Sequence, residues 1–302
     1  MSISNSTFKV AVVQATPILF DSYATLELVD AWVEMAQSDG AALVLFPETF
    51  LSGYPRGFQF GAVVGSRSEQ GRYEWQAYYE SAIEVPGPCT EHLSDLARIT
   101  NMYIAIGVTE RKGGSLYCSL LYFSPSAGLI HVHRKMKPTG TERIVWAEGD
   151  GRDLQCLRTH LGRIGGLICW ENYMPLARMH LYEQQIQLYL APTADARPTW
   201  VASMQHIACE GRCFVLSSNQ FMRKADYPAE FQYTLHHLPD PICNGGSVIV
   251  SPLGEILAGP LWGEEGLLTA EIDLSATIRA KLDFDAVGHY GFRVTNISSD
   301  AS

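Results

Sequence analysis

The chain has 302 residues, of which 22 are basic and 32 acidic, giving a formal net charge of −10. Apolar residues make up 47% and charged residues 18%, a balance typical of a folded globular protein rather than a disordered one. The acidic excess argues against nucleic acids and anionic membranes as partners, because both are bound through a surplus of Lys and Arg.

The N-terminal segment predicts a strand, a helix and a second strand. Residues 9–15 and 41–46 are short, apolar and rich in valine, which favours buried strands. Between them, apolar side chains recur at helical spacing over residues 23–37, and Asp21 or Ser22 can cap the start of this helix. This order is typical of an α/β fold with a crossover connection.

The rest of the chain predicts a mixture of parallel and antiparallel strands. Hairpins are indicated by Pro/Gly-containing turns within residues 116–134 and 247–257. Further strands are predicted at 163–169, 186–190, 213–217 and 267–272, and helices at about 89–100, 173–185 and 198–211. We therefore expect one mixed α/β domain with two sheets covered by helices.

Targeting and redox signals point to the cytoplasm. No run approaches the ~18 apolar residues of a membrane-spanning helix. Residues 1–9 lack the basic start and apolar core of a signal peptide. The seven cysteines are odd in number and widely spread, which does not suggest a disulfide framework. We expect a soluble protein of a reducing compartment.

Three segments place a reactive side chain directly after a predicted strand, where active-site residues are common. Glu48 follows Pro47, which cannot donate to a strand ladder. Lys135 and Glu142 lie in a basic stretch after the second strand of the first hairpin, and Cys169 lies where an apolar strand meets a turn. Taken singly, each also fits a surface charge, a salt bridge or a buried inert thiol.

Together, the three segments resemble a known family. Residues 46–61 (FPETFLSGYPRGFQFG), 133–151 (HRKMKPTGTERIVWAEGDG) and 169–178 (CWENYMPLAR) are similar to three blocks of the nitrilase, or carbon–nitrogen hydrolase, superfamily. The segments GYPRG and CWEN resemble those of true nitrilases more than those of the amidase branches. The likeness runs from about residue 8 to 282, which we take as the domain, with 283–302 as a short C-terminal tail.

The resemblance implies a fold and a set of catalytic residues. The fold is an αββα sandwich that dimerises into an αββααββα body. The catalytic triad falls on Glu48, Lys135 and Cys169, and Glu142 matches a second glutamate that positions the lysine. The resemblance also implies a homodimer or a higher homo-oligomer. The tail is shorter than in many relatives, whose tails support spiral or filament assembly, which leaves the oligomeric state beyond a dimer open.

Four further residues are predicted to bind substrate. Tyr54 and Trp170 are adjacent to the motif chemistry and could shape an apolar pocket, although aromatic residues are more often simply part of a core. Thr193 and Trp200 belong to a segment after another strand that lines the pocket in the family, with an ordinary capped turn as the alternative.

The residue types suit attack on a nitrile carbon, which calls for a strong, soft nucleophile such as a thiolate. A free cysteine, with a pKa of ~8.5, is only about 3% ionised at pH 7. Transfer of its proton to an ordinary glutamate costs roughly 6 kcal/mol. Burial must therefore raise the pKa of Glu48, or Lys135 must stabilise the thiolate. These steps require no metal or organic cofactor.

A different pattern offers a weaker alternative. His206, Cys209 and Cys213 have a spacing that could suggest zinc, but a structural zinc site needs four ligands and Cys243 is distant in sequence. The same spacing more simply describes one packed helix face.

The sequence thus predicts an enzyme that converts small organic nitriles to carboxylic acids and ammonia. An amidase or carbamoylase, or a cyanide-hydrolysing enzyme, would use the same triad. A thiol sensor or binding protein on this fold is the alternative outside enzymes.

Overall fold

The computed structural model describes residues 7–291. Its helices are α1 (Ser22–Ser38), α2 (Glu69–Ser81), α3 (Pro88–Thr100), α4 (Pro175–Glu183), α5 (Pro198–Gly211) and α6 (Ser275–Arg279). Its strands are β1 (Thr7–Gln14), β2 (Ala41–Leu45), β3 (Ala62–Val63), β4 (Ser66–Arg67), β5 (Ile83–Glu84), β6 (Tyr103–Lys112), β7 (Ser115–Ser124), β8 (Gly128–Arg134), β9 (Leu157–Thr159), β10 (Gly162–Gly166), β11 (Leu188–Leu190), β12 (Phe214–Ser217), β13 (Phe221–Met222), β14 (Cys243–Val250), β15 (Ile256–Trp262) and β16 (Gly266–Asp273).

The strands form two large mixed sheets. In the first, the order is β16-β1-β2-β6-β7-β8, with β5 also paired to β6. In the second, the order is β13-β14-β12-β11-β10-β9, with β15 paired to β14. Strands β1, β2 and β6 run parallel to one another, as do β10, β11 and β12, whereas the hairpin strands are antiparallel.

Three apolar layers show that the molecule is an αββα sandwich. The central layer joins the inner faces of the two sheets, including Val10 and Leu43 from the first and Leu188 and Phe214 from the second. A second layer packs α1 and α3 on the outer face of the first sheet. A third packs α4 and α5 on the outer face of the second sheet. The predicted sandwich is therefore confirmed.

The buried character of β1 explains its continuous apolar sequence. Val10 and Val12 face the layer between the sheets, whereas Ala11 and Val13 face α1 and α3. A strand that is covered on both faces shows no polar alternation, which is why residues 10–13 are all apolar. The helix that follows begins as expected, with the Asp21 carboxylate accepting from the Ala24 amide at 2.9 Å.

Several elements lie outside the predicted ones, and one prediction needs correction. The longest elements without a predicted counterpart are helix α2 and strand β6; the short elements β3, β4, β5, β9, β13 and α6 also have none. The strand predicted at 163–169 ends at Gly166, and Cys169 instead begins a 3-10 turn over Cys169–Tyr173. The part of the predicted tail from residue 292 onward, and the N-terminal residues 1–6, lie outside the described residues.

Candidate active site

Glu48 lies in the turn after β2, at the edge of the first sheet. Its side chain is fully buried, and its carbonyl accepts from the Gln220 side chain at 2.9 Å, which ties the turn to the second sheet. Gly107 of β6 presses against this turn: a Cβ added there would lie 2.3 Å from the Pro47 carbonyl oxygen and 2.6 Å from Glu48 Cα. The close approach of two backbones therefore fixes the position of the glutamate.

Lys135 directly follows β8 and points into the same region. Its amide donates to the Cys118 carbonyl at 2.8 Å, so the β7–β8 ladder extends to the lysine itself. The buried ammonium donates to Glu48 Oε1 at 2.6 Å and to Glu142 Oε2 at 2.7 Å. One buried cation thus joins two carboxylates.

Cys169 is held in a strained turn after β10. Its φ of 49° is in the left-handed region, which is uncommon for a residue with a side chain. Its amide donates to the Pro192 carbonyl at 2.8 Å, its carbonyl accepts from the Asn172 side chain at 2.8 Å, and its Sγ accepts from Thr193 Oγ1 at 3.2 Å. The surrounding contacts thus impose a backbone conformation that projects the thiol from the end of the second sheet.

The charges of the site set the resting protonation states. Burial raises the pKa of Glu48 above its ordinary value; Lys135 opposes this effect and Glu142 adds to it. Burial, with the nearby Glu48 carboxyl, raises the pKa of the Cys169 thiol, and Lys135 compensates only in part. The cysteine is thus a neutral thiol at rest, so stabilisation by Lys135 does not produce a preformed thiolate.

The arrangement therefore favours proton transfer during attack. Oε1 of Glu48 accepts from Lys135, while its buried Oε2 has no hydrogen-bond partner among the described residues. An unpaired carboxylate oxygen with a raised pKa is well suited to act as a general base.

Glu142 is fixed by three donors. It lies in the 3-10 turn Gly140–Ile144, where its Oε2 accepts from the Thr139 amide at 2.6 Å as well as from Lys135. Its Oε1 accepts from the Tyr54 hydroxyl at 2.7 Å. Burial raises the pKa of Tyr54, and the negative charges of Glu142 and Glu48 add to this, so the phenol remains a donor.

A cavity of about 450 Å³ connects this array to the surface. Cys169, Glu142, Tyr54 and Trp170 line it, together with Arg56. The lining also includes residues of two further segments: Thr139, Ala194, Asp195, Ala196, Arg197, Pro239, Pro241, Ile242 and Asn244. The pocket is accordingly of mixed polarity rather than the apolar pocket expected.

The four predicted substrate-binding residues lie in different positions. Tyr54 lines the cavity, and Trp170 lies at its mouth with 41% of its surface exposed. Thr193 is fully buried and contacts the cysteine sulfur rather than the cavity. Trp200 of α5 is 1% exposed, donates to Ser217 Oγ at 2.8 Å and packs between α5 and the second sheet, so it is not among the residues that line the cavity. Its placement does not support a substrate contact.

Arg56 and the segment 239–244 also line the cavity, although the sequence patterns do not predict them as binding residues. Arg56 stacks on the Tyr54 ring at 5.2 Å and donates to the Ala194 carbonyl. Its place inside the quoted GYPRG block was an available signal, whereas residues 239–244 carry no recognisable motif.

The pattern considered for zinc does not converge. His206 lies 3.7 Å from Glu210 on α5, and within residues 7–291 no group of three or more His, Cys, Asp or Glu could hold a metal ion. All seven cysteines fall in this range and have free thiols. None of the helices in the described range is long and apolar enough to cross a bilayer.

Comparison with known proteins assigns the family. The carbon–nitrogen hydrolase family model matches residues 9–282. Nitrilase 3 of Arabidopsis thaliana is 48% identical over 292 residues, covering 95% of this chain and 84% of the relative. The bifunctional nitrilase/nitrile hydratase NIT4B of Nicotiana tabacum is 49% identical with the same coverage. The chain belongs to the carbon–nitrogen hydrolase family, in its nitrilase branch. The family prediction from the three sequence blocks is confirmed.

Solved structures of this hydrolase family share the fold at lower identity. A carbon–nitrogen hydrolase from Helicobacter pylori G27 superposes with a TM-score of 0.72 at 21% identity, covering 91% of this chain and 92% of the other. An amidase from Nesterenkonia sp. gives 0.67 at 21% identity, with 91% and 94% covered. At this identity the likeness concerns the sandwich, not the substrate.

Proposed function

We propose that the protein is a nitrilase that hydrolyses small organic nitriles to carboxylic acids and ammonia through a covalent intermediate on Cys169. The observation that carries the proposal is the buried Lys135 ammonium, which bridges Glu48 and Glu142 beside a cysteine held in a strained turn. The names of the two plant relatives described above favour nitriles over amides as substrates.

The first step is addition of the thiol to the nitrile carbon. Glu48 takes the proton of Cys169 as the carbon–sulfur bond forms, and one π bond of the nitrile becomes a lone pair on nitrogen. Lys135 stabilises this developing negative charge, and the proton held by Glu48 then passes to the nitrogen to give a neutral thioimidate. Because Lys135 is already oriented by two carboxylates, little reorganisation is needed as the charge develops.

Two molecules of water complete the reaction. Glu48 removes a proton from the first water as it adds to the thioimidate carbon, and passes that proton to the nitrogen to give an amine. The proton of the new hydroxyl group then reaches the nitrogen by the same route as the C=O bond forms, so the carbon–nitrogen bond breaks and ammonia leaves. The second water attacks the resulting thioester in the same way, releases the carboxylic acid and returns the proton to the Cys169 sulfur. The overall balance is one nitrile and two waters to one acid and one ammonia, and it consumes no cofactor.

The first tetrahedral intermediate can also break in a second way. If its carbon–sulfur bond breaks in place of its carbon–nitrogen bond, the product is an amide and Cys169 is regenerated after one water. Relatives named as bifunctional nitrilase/nitrile hydratases support such a side product. The ratio of acid to amide then depends on which leaving group is protonated first.

We also propose a homo-oligomeric, cytoplasmic enzyme that acts on small molecules. The resemblance to nitrilases supports at least a dimer, and Leu176 and Leu282 are large apolar side chains exposed to 84% and 91%. Seven free thiols suit a reducing compartment.

The test is ammonia release from a panel of nitriles, the matching amides and cyanide. Cys169→Ala should abolish nitrile-dependent release, whereas the matched control Cys89→Ala, which removes a buried thiol from α3, should retain it. Release from amides alone would assign the enzyme to amide hydrolysis. Normal turnover by Cys169→Ala would refute the mechanism, and silence across the panel would favour a binding protein or thiol sensor.

A further inference from the structure

A buried carboxylate links the backbone next to the catalytic lysine to the backbone next to the catalytic cysteine. Glu171 lies two residues after Cys169 and is 1% exposed. Its Oε1 accepts from the Met136 amide at 2.6 Å, and its Oε2 accepts from the Ile168 amide at 2.7 Å. Met136 follows Lys135 in the chain, and Ile168 precedes Cys169. One carboxylate therefore binds the backbone next to the lysine and the backbone next to the nucleophile.

A histidine and a second carboxylate continue this link. His133, the penultimate residue of β8, is 2% exposed, and its Nε2 lies 3.1 Å from Glu171 Oε2. Its Nδ1 lies 2.8 Å from Asp153 Oδ1, while Asp153 Oδ2 accepts from the Arg134 amide at 2.9 Å. Because both ring nitrogens face carboxylate oxygens, both must carry a hydrogen when the carboxylates are ionised, which makes the ring an imidazolium.

The groups around His133 favour its protonated, positively charged form. Burial opposes the charged ring, but Glu171 and Asp153 outweigh it and raise the pKa of His133 to about 10. The groups that face the cluster from neighbouring elements are Tyr122 of β7, His131 and Arg134 of β8, and Tyr189 of β11. Burial raises the pKa of both tyrosines and lowers that of His131, so these three are neutral, and the Arg134 guanidinium donates to Glu110.

We propose that Asp153, His133 and Glu171 form a clip that sets the spacing between Lys135 and Cys169, which makes them positioning residues of the reaction. The proposal rests on the function proposed above, because it concerns the same lysine and cysteine. None of the three side chains is among the residues that line the catalytic cavity. They act by joining the end of β8 in the first sheet to the turn after β10 in the second.

The need for such a clip follows from the topology. Lys135 and Cys169 follow strands of different sheets, and the layer between the sheets is mainly apolar, so holding these two residues at a fixed separation calls for a polar link close to them. Apolar contacts are not directional, whereas a carboxylate that accepts two backbone N–H groups fixes both distance and angle. A displacement of about 1 Å at reacting groups can cost on the order of 100-fold in rate.

Replacing the acid by its amide tests the link without changing its volume. In Glu171→Gln, the side-chain NH₂ must face either an N–H donor of the backbone or the His133 ring, so at least one of the three bonds is lost. His133→Gln cannot donate to both carboxylates with the same geometry. His131→Gln is the matched control, since His131 lies on the same strand and bonds to the Asp153 carbonyl but not to Glu171.

The expected result separates positioning from general stability. In folded Glu171→Gln and His133→Gln, kcat should fall by on the order of 100-fold with KM within about threefold of the wild type, because the cavity is unchanged. Amide hydrogen exchange should accelerate at Met136 and Ile168. His131→Gln should remain within about twofold on both parameters. A kcat in Glu171→Gln equal to that of His131→Gln would overturn the proposal.

A second measurement covers variants that fail to fold. The wild-type kcat should fall on the alkaline side near pH 10, as the His133 ring loses its proton, with circular dichroism confirming that the protein is still folded. Asp153→Asn, at a position with 23% side-chain exposure, keeps an oxygen for the Arg134 amide but loses the charge. It should move this alkaline limb to lower pH, because one stabilising carboxylate is gone. An unmoved limb would contradict the proposal.

The readouts also distinguish this clip from the proposed function. If the wild type hydrolysed only amides, the same ratios would be measured with the amide substrate. If it hydrolysed neither, the proposed function would fail, and so would the catalytic role of the clip. Unchanged protection of Met136 and Ile168 in Glu171→Gln would overturn the clip whatever the substrate.

Discussion

Neutralising Glu142 should damage catalysis in a way that the structure makes quantitative. Glu142→Gln keeps the side-chain volume and an oxygen that can accept from Lys135, but it removes one of the two negative charges that hold the ammonium. Opposite unit charges about 4 Å apart attract by about 4 kcal/mol at an effective dielectric constant near 20, which sets the scale of the effect. Because the glutamine oxygen keeps part of the hydrogen bond, we expect the stabilisation of the transition state to fall by about 2–3 kcal/mol.

This loss corresponds to a 30- to 160-fold decrease in kcat, at about 1.36 kcal/mol per tenfold. The pH profile should change as well. The charge of Glu142 helps to raise the pKa of Glu48, after the larger effect of burial and against Lys135. Its removal lowers the pKa of Glu48, so the acid limb of kcat/KM should move to lower pH, because the general base is then ionised in more acidic solution.

The assay is ammonia release from the preferred nitrile between about pH 4 and 9. Glu148→Gln is the matched control, because Glu148 is half-exposed and pairs with Lys137 away from the catalytic lysine. It should leave rate and profile within about twofold of the wild type, as expected for an exposed ion pair. A decrease below threefold in Glu142→Gln, with an acid limb that stays in place or moves to higher pH, would refute the electrostatic role of Glu142.

Two further substitutions test the contacts around the nucleophile and the core. The Thr193 hydroxyl donates to Cys169 Sγ, and this hydrogen bond lowers the pKa of the thiol. Thr193→Val removes the bond, so the rate of alkylation of Cys169 by iodoacetamide at pH 8 should fall about tenfold. An unchanged melting temperature would exclude a folding defect. Trp200→Phe should leave KM within about twofold of the wild type, because Trp200 packs in the core. It should lower the free energy of unfolding, measured in urea, by about 1–3 kcal/mol. A tenfold increase in KM would instead show that Trp200 contacts the substrate.

The predicted strands and helices match the structure where one physical pattern dominates. Strand β1 is buried on both faces and α1 carries a regular apolar stripe, so both are found within about two residues of their predicted bounds. Helix α2 buries only four residues, of which Tyr78 is the one large hydrophobic side chain, and its sequence therefore has no apolar period. In β6, Gly107 interrupts the apolar run because the backbone of Glu48 leaves no room for a side chain.

In the site, the motifs identify the catalytic residues, but their arrangement in space depends on tertiary packing. The three sequence blocks place Glu48, Lys135 and Cys169 on separate loops, but their meeting depends on how the two sheets pack. The position of Trp200 was open to prediction, because the apolar residues that follow it on α5 recur at helical spacing and mark a core-facing side. The left-handed conformation of Cys169 could not be predicted, since no glycine marks it.

The pairing of β1 with β16 has a consequence for synthesis of the chain. Thr7 pairs with Asp273 and Gln14 with Gly266, so one edge of β1 finds its partner only after almost the whole chain has been made. At a synthesis rate of about 5–20 residues per second, this edge of β1 remains unpaired for on the order of 10–50 s while the chain is still on the ribosome. An unpaired apolar strand is a template for aggregation. Efficient production of this enzyme should therefore depend on chaperones that shield the nascent chain until its last strand emerges.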